Sequence, residues 1–268
     1  MSACKDQLKP HVRLYLLNGF YLDLNGSRVN PPTSAQRLIA FLALRGPSSR
    51  ALVSGTLWVE ATEAQALGSL RTSIWRANRC VEGLVRAERT HLSLADFVRV
   101  DVAECLEEAA SVVGPARGDS LASRHSGDGA LLMLRRAGKG LLPGWYDDWV
   151  VSERERLHHL RLHALEAAAA RLTEMESYAV ALDLALEAAR ADPFRESAQR
   201  AVIRVHLAED NLSEVVQTYE RFRSRLSLEL GLRPSAELQA LVANRVRNRQ
   251  VSRGASREQQ GRVRAANA

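Results

Sequence analysis

An apolar stripe of helical period runs through Glu63–Arg79 (EAQALGSLRTSIWRANR), and an alternating segment with a charged tip, GLVRAERTHLSL, follows at once. Much later, alanines spaced for close helix packing recur at Ala181, Ala185 and Ala188. These observations predict a fold that is mainly α with small β elements: an N-terminal winged helix-turn-helix followed by an all-α, tetratricopeptide-like helical-repeat domain. On a 3.6-residue period Leu67, Leu70, Ile74 and Ala77 share one side of the first helix. Gln65, Gly68, Ser69, Thr72, Trp75, Arg76 and Arg79 share the other, with Arg71 on the flank. Leu84, Arg86 and Glu88, then Thr90, Leu92 and Leu94, form period-2 patterns on either side of a turn near Ala87-Glu88-Arg89.

Before this helix, the segments 12–17 (VRLYLL) and 20–24 (FYLDL) predict two short strands. Asn18-Gly19 and Asn25-Gly26 mark tight turns, because both residue types tolerate positive φ. A third strand near Arg28-Val29 completes a small antiparallel sheet, which Pro31-Pro32 ends. Thr33 or Ser34 is placed to cap a first helix through Leu38, Phe41, Leu42 and Ala43, and Gly46-Pro47 stops it. Residues 48–58 predict a second helix with Leu52, Val53 and Leu57 on its buried side. Thr62 caps the third, with Glu63 in the first turn where the helix dipole favours an anion.

After residue 100 the pattern is helical. DVAECLEEAASVV (101–113) reads as an amphipathic helix, 114–129 as a Gly- and Ser-rich flexible loop, and 130–137 as a short helix. Leu141-Leu142-Pro143-Gly144-Trp145 feeds a long helix over about 149–174. Ala181, Ala185, Ala188 and Pro193 have the spacing of a tetratricopeptide second helix, and one repeat length further lie Val215, Tyr219 and Phe222. Residues 157–228 therefore read as about two helical hairpins, and a helix over 235–246 caps the stack. The tail from Arg247 is polar, basic and expected to be disordered. The resulting division is 1–100, 101–246 and 247–268.

Charge is partitioned along these divisions. Residues 1–100 hold 13 Lys/Arg against 7 Asp/Glu, residues 101–246 hold 18 against 23, and residues 247–268 hold 6 against 1. The first division suits an anionic partner and the second does not. The longest strongly apolar run, Leu38–Leu44, is far too short to span a membrane, and the N-terminus lacks the apolar stretch of a secretory signal. Cys4, Cys80 and Cys105 are odd in number and form no CxxC pair, which argues against a disulfide frame or zinc site and for a reducing cytoplasm.

The N-terminal pattern, above all SLRTSIWRANR followed by LVRAERTHLSL and VRVDVAE, resembles the Streptomyces antibiotic regulatory protein family. Members join a winged helix of the response-regulator output type to a bacterial transcriptional activator domain, and LLPGWYDDWVVSERERL (141–157) is similar to a signature of that second domain. The chain departs from the family in two places. Arg89 stands at a hairpin tip that often carries glycine, and Ala77-Asn78 replaces a leucine-arginine pair. No receiver domain is expected ahead of the winged helix, and no ATPase domain after the helical repeats.

The candidate DNA-contacting residues are Ser69, Arg71, Thr72, Trp75, Arg76 and Arg79 from the helix, with Arg86, Arg89 and His91 from the hairpin. Arginine donates two bonds to guanine in the major groove, and serine and threonine reach bases or phosphates. The resemblance implies a sequence-specific transcriptional activator on double-stranded promoter DNA. It further implies direct repeats, self-association on DNA, recruitment of RNA polymerase and control of secondary-metabolite genes. Nucleotide-binding glycine motifs, G-x-S-x-G and H-E-x-x-H are all absent, and His91, His158 and His159 lack a complementary ligand set. No cofactor, metal or catalysis is therefore expected. Trp145–Trp149 is read as a structural corner. The competing reading is a helical-repeat scaffold that binds protein without specific DNA readout.

Overall fold

The computed structural model describes residues 11–113 and 140–245. The expected loop 114–129, short helix 130–137 and tail 247–268 lie outside the described residues. Two compact units are present, residues 1–161 and 162–268.

In the first unit, β1 (Val12–Tyr15), β2 (Tyr21–Leu24) and β3 (Ser27–Val29) pair antiparallel in sequence order, as their turn residues predict. Leu24 pairs with Ser27, so Asn25-Gly26 is a two-residue turn, and both residues have positive φ (52° and 83°). That twist matches the strands it joins. A fourth strand, β7 (Val98–Val100), adds parallel to β1.

Helix α1 (Thr33–Arg45) follows the sheet, and its N-cap is Pro32, with no side-chain cap, rather than Thr33 or Ser34. The expected second helix loses its first two residues to β4 (Ser48–Ser49), which pairs with the later hairpin. Ser49 Oγ then accepts from Leu52 N at 3.2 Å and caps α2 (Arg50–Leu57). Leu52 is 54% exposed, and the buried side of α2 is Val53, Ser54 and Leu57. Helix α3 (Glu63–Cys80) leads into the hairpin of β5 (Val85–Ala87) and β6 (His91–Leu94), and β7 leads into α4 (Asp101–Val113). Buried Asp101 accepts from Leu16 N and Leu17 N at 2.9 and 3.0 Å, tying α4 to the end of β1.

One core joins these elements, with Leu14, Leu22, Leu38, Phe41, Leu57, Leu70, Leu84 and Leu92 at its centre. Leu141, Leu142, Trp149, Val150 and Leu157 belong to the same core. Compact packing divides the chain at 161/162, because residues 141–157 pack with the first unit. The reason is local: Leu142 N donates to Leu16 O at 2.9 Å, Asn18 N donates to Gly140 O at 2.8 Å, and the Trp145 ring stacks on Phe20. The tryptophan segment is a structural corner, and it is built onto the winged helix.

Helix α5 (Asp148–Glu174) starts in the first unit and ends in the second. The second unit continues with α6 (Tyr178–Ala191), α7 (Glu196–Ala208), α8 (Leu212–Leu230) and α9 (residues 236–245). Ala181, Ala185 and Ala188 are fully buried on α6, where small side chains let helices approach closely. Val215 and Phe222 join Ile203, Leu226, Leu238 and Val242 in a second core. Gly231 takes the left-handed conformation that ends α8 (φ 67°), and its N–H donates to Ser227 O. Mainly α with small β elements, winged helix first and helical domain second, is the observed class.

Candidate nucleic-acid interface

Helix α3 is specified at both ends. Gln65 Oε1 accepts from the Thr62 N–H at 3.1 Å and from its hydroxyl at 3.0 Å, satisfying donors that the first turn leaves open. Glu63 in the first turn and Arg79 in the last both complement the helix dipole. Its buried stripe is Ala66, Leu70, Ser73 and Ala77, with Leu67 and Ile74 only half-buried. The expected stripe of Leu67, Leu70, Ile74 and Ala77 is thus corrected in phase. Small Ala66 and Ser73 face the packed interior, and the two bulkier side chains lie at its edges.

That rotation re-sorts the predicted contact residues. Arg71, Thr72, Trp75, Arg76 and Arg79 are exposed, while Gly68 and Ser69 are half-buried. Arg71 moves from the flank onto the open face, and among the described residues it has no ion pair or hydrogen bond. The Thr72 hydroxyl donates to Gly68 O at 3.1 Å, so toward any outside group its oxygen is left to accept. Arg76 donates from one nitrogen to Ser34 Oγ at 3.3 Å and keeps its remaining donors. Arg79 lies over the Trp75 ring, 5.1 Å from its centroid, and Trp75 stays 59% exposed.

The hairpin forms the wing. Val85, Arg86 and Ala87 pair with Leu94, Ser93 and Leu92, and Glu88 N donates to His91 O at 2.9 Å, which leaves Arg89 and Thr90 at the tip. Neither tip residue has positive φ, so the turn does not require the glycine that the resembled family often carries there. Arg89 projects a cation with no ion pair among the described residues. Arg86 instead pairs with Asp96 at 2.6 Å, and His91 Nδ1 lies 2.9 Å from the Thr90 hydroxyl. The wing's two arginines are therefore unequal: one presents an unmatched charge and one is already matched.

Two residues that sequence reasoning overlooked hold this arrangement. Arg50 Nε and a terminal nitrogen both donate to Glu88 O, at 3.2 and 3.1 Å, and Arg50 N donates to Thr90 O. A guanidinium with only carbonyl partners keeps its full charge beside the wing tip. The available signal was Arg50 in the first turn of a helix, where the dipole disfavours a cation. Asn78 is the second: its amide donates to Val85 O at 3.0 Å and accepts from Val85 N at 2.8 Å. That pair fastens the wing's first strand to the last turn of α3, and explains why asparagine follows the fully buried Ala77.

Among the described residues no group of His, Cys, Asp or Glu is arranged to hold a metal ion, and no helix is long and apolar enough to cross a membrane. Half-buried Cys80 and buried Cys105 form no disulfide among the described residues. The face is one of guanidinium groups, a hydroxyl acceptor and an indole, suited to binding a polyanion.

The family model described as the bacterial transcriptional activator domain matches residues 100–247. No curated protein matches the chain. Among solved structures, Mycobacterium tuberculosis EmbR in complex with a low affinity phosphopeptide is similar, with a TM-score of 0.72 at 19% identity. The likeness covers 90% of this chain and 66% of that one, and at this identity it speaks for the fold. The family model takes in more than half of the sequence, and the chain belongs to the bacterial transcriptional activator domain family, in the winged-helix-first arrangement of the Streptomyces antibiotic regulatory proteins.

Proposed function

We propose that this bacterial transcriptional activator reads promoter DNA with α3 in the major groove and the β5–β6 wing on the adjacent backbone. The observation that supports the reading best is the exposed set Arg71, Thr72, Trp75, Arg76 and Arg79 on one side of a capped helix. Base selection falls to Arg71, Arg76 and Thr72, and Ser69 contributes from the edge. Trp75 and Arg79 pack on sugar and phosphate as a stacked pair, Arg89 and His91 meet the backbone, and Arg86 reaches it only in competition with its partner Asp96. Phosphate contact supplies affinity with steep salt dependence.

The functional division follows 1–100 for DNA reading, 101–246 for the activator domain with its tetratricopeptide-like hairpins, and 247–268 for a basic tail. In this reading the protein works in the cytoplasm and binds direct repeats as two or more copies. It recruits RNA polymerase through the helical unit and controls a secondary-metabolite gene cluster. It takes no cofactor and performs no catalysis.

Mobility-shift titration of the full chain against promoter fragments and random duplex, at two salt concentrations, tests the proposal. Arg76→Ala and Thr72→Ala are expected to erase promoter preference, at about 1–3 kcal/mol for a base-reading arginine, while leaving the circular dichroism spectrum unchanged. A wild-type protein with no promoter preference at moderate salt would make the helical-repeat scaffold the better reading.

A further inference from the structure

A groove of about 870 Å³ opens on the helical unit between α6, α7 and α8. Its floor is apolar, formed by Leu182 and Leu186 from α6, Val202 from α7 and Phe222 from α8. Leu186 remains 37% exposed there. The rim carries the opposite chemistry: Arg190, Arg221 and Arg225 stand against a single carboxylate, Glu214. Arg221 is bonded to the neutral amide oxygen of Gln217, which leaves its charge uncompensated. Arg225 approaches Glu229 only to 3.7 Å, and both side chains are more than half exposed, a geometry in which water screens most of the attraction.

A second observation points to a ligand. His206 lines the same groove and is 7% exposed, yet its Nδ1 has no hydrogen-bond partner. Glu209 Oε2 lies 3.6 Å from that nitrogen, within ion-pair range but beyond hydrogen-bond reach. A buried polar atom without a partner is an open hydrogen-bonding group that a bound molecule can satisfy.

We infer that this groove takes an acidic segment of a partner protein. Its carboxylates pair with the arginine rim, and its apolar side chains lie on the Leu182, Leu186 and Phe222 floor. The chain's own segments outside the described residues have the wrong sign for the role. Residues 114–139 carry five Lys/Arg against two Asp/Glu, and residues 247–268 carry six against one. That sign favours an occupant from another molecule. This inference rests on the protein-contact half of the proposed function and not on the DNA-reading half.

The test uses the full chain and a short fluorescein-labelled peptide of glutamate and leucine at helical spacing, with a lysine-for-glutamate counterpart as control. Fluorescence anisotropy should show binding of the glutamate peptide alone. Arg190→Glu combined with Arg221→Glu should weaken it about tenfold or more, with the promoter mobility shift unchanged. Arg225→Glu, on the exposed side of α8, gives the same measurement should the double variant fail to fold. No binding, equal binding of the lysine peptide, or unchanged affinity in the reversed variants overturns the proposal. Self-association in sedimentation equilibrium that the same reversals abolish also overturns it, and assigns the groove to a second copy of the chain. A lost mobility shift with peptide binding intact counts against the DNA-reading half alone.

Discussion

The guanidinium of Arg45, the last residue of α1, meets the carboxylate of Glu153 on α5 at 2.7 Å, and that carboxylate is only 5% exposed. A residue of the winged helix and a residue of the activator-domain signature thus share one ion pair. Around it Arg37 pairs with Asp147, and Arg154 donates to the carbonyls of Leu141, Leu142 and Trp145. The signature segment is a clamp on the winged-helix unit.

The aromatic centre of that clamp gives a stability prediction. Trp149 is 6% exposed, meets Phe41 edge-on at 5.3 Å between centroids, and has an indole nitrogen with no hydrogen-bond partner. Trp149→Ala should cost about 3–5 kcal/mol, by loss of buried area and the cavity left behind. Trp149→Phe removes the unsatisfied donor as well as some volume, and should cost about 1 kcal/mol or less. Urea denaturation of the full chain, followed by near-ultraviolet circular dichroism, measures both. Equal costs would show that the ring's volume does not matter there.

At the wing, the pairing of Arg86 with Asp96 separates two arginines that look alike in the sequence. Asp96 is exposed (83% of its side chain), so its charge is presented alongside that of Arg86. Asp96→Asn should release Arg86 toward phosphate, raise affinity for every duplex a few-fold and steepen the salt dependence by about one phosphate contact. Arg89→Ala should do the reverse, weakening all duplexes and flattening the slope by about one contact. Titration of specific and random duplexes across a salt series reads both effects. A change in promoter preference with either variant would place base reading on the wing.

Much of this organisation was legible because it is written in local chemistry. Asn25-Gly26, Gly46-Pro47 and Thr62 with Gln65 each fix a turn or a cap within a few residues, and the structure keeps all three. The buried alanines of α6 were equally readable, since helical spacing alone places them on one side. What escaped is non-local. β7 is three residues long and gains its meaning only from the parallel partner Val12–Leu14. The phase of α3 depended on which small side chains the packed interior would accept, and hydrophobicity favoured Leu67 over Ser73. Arg50 and Asn78 serve backbone atoms of the wing, 38 and 7 residues away, and no periodicity reports such bonds.

Glu108 on α4 carries a pH dependence. Burial raises its pKa above the ordinary carboxylate value, and the nearby charge of Glu104 raises it further. The folded state therefore prefers the protonated form. That contribution to stability is fully present below the unfolded value of about 4.3, and it is lost as pH rises through the higher folded value. At neutral pH the ionised group is a liability, so Glu108→Gln should raise the melting temperature there and leave it unchanged in acid. Melting curves of both proteins across this range check the sign. A gain confined to acid would reverse the assignment.

The bond from Arg50 to the wing tip yields the last prediction. Its fork holds the Glu88 carbonyl, while its backbone N–H holds the carbonyl of Thr90. Removing the side chain leaves the backbone bond and the β4–β6 pairing in place, so the fold should survive. Two effects then act together on DNA: a cation beside the wing tip is gone, and the Arg89-Thr90 turn loses a tether. Arg50→Ala should weaken binding to specific and random duplexes alike, by about tenfold at low salt and less at high salt, with stability changed by about 1 kcal/mol or less. Arg50→Lys separates the two, because lysine keeps the charge but offers no planar fork to a carbonyl. Lysine rescue of affinity would make the charge the active part. Failure of rescue, with raised hydrogen exchange at the Thr90 and His91 amides, would assign the effect to the tether.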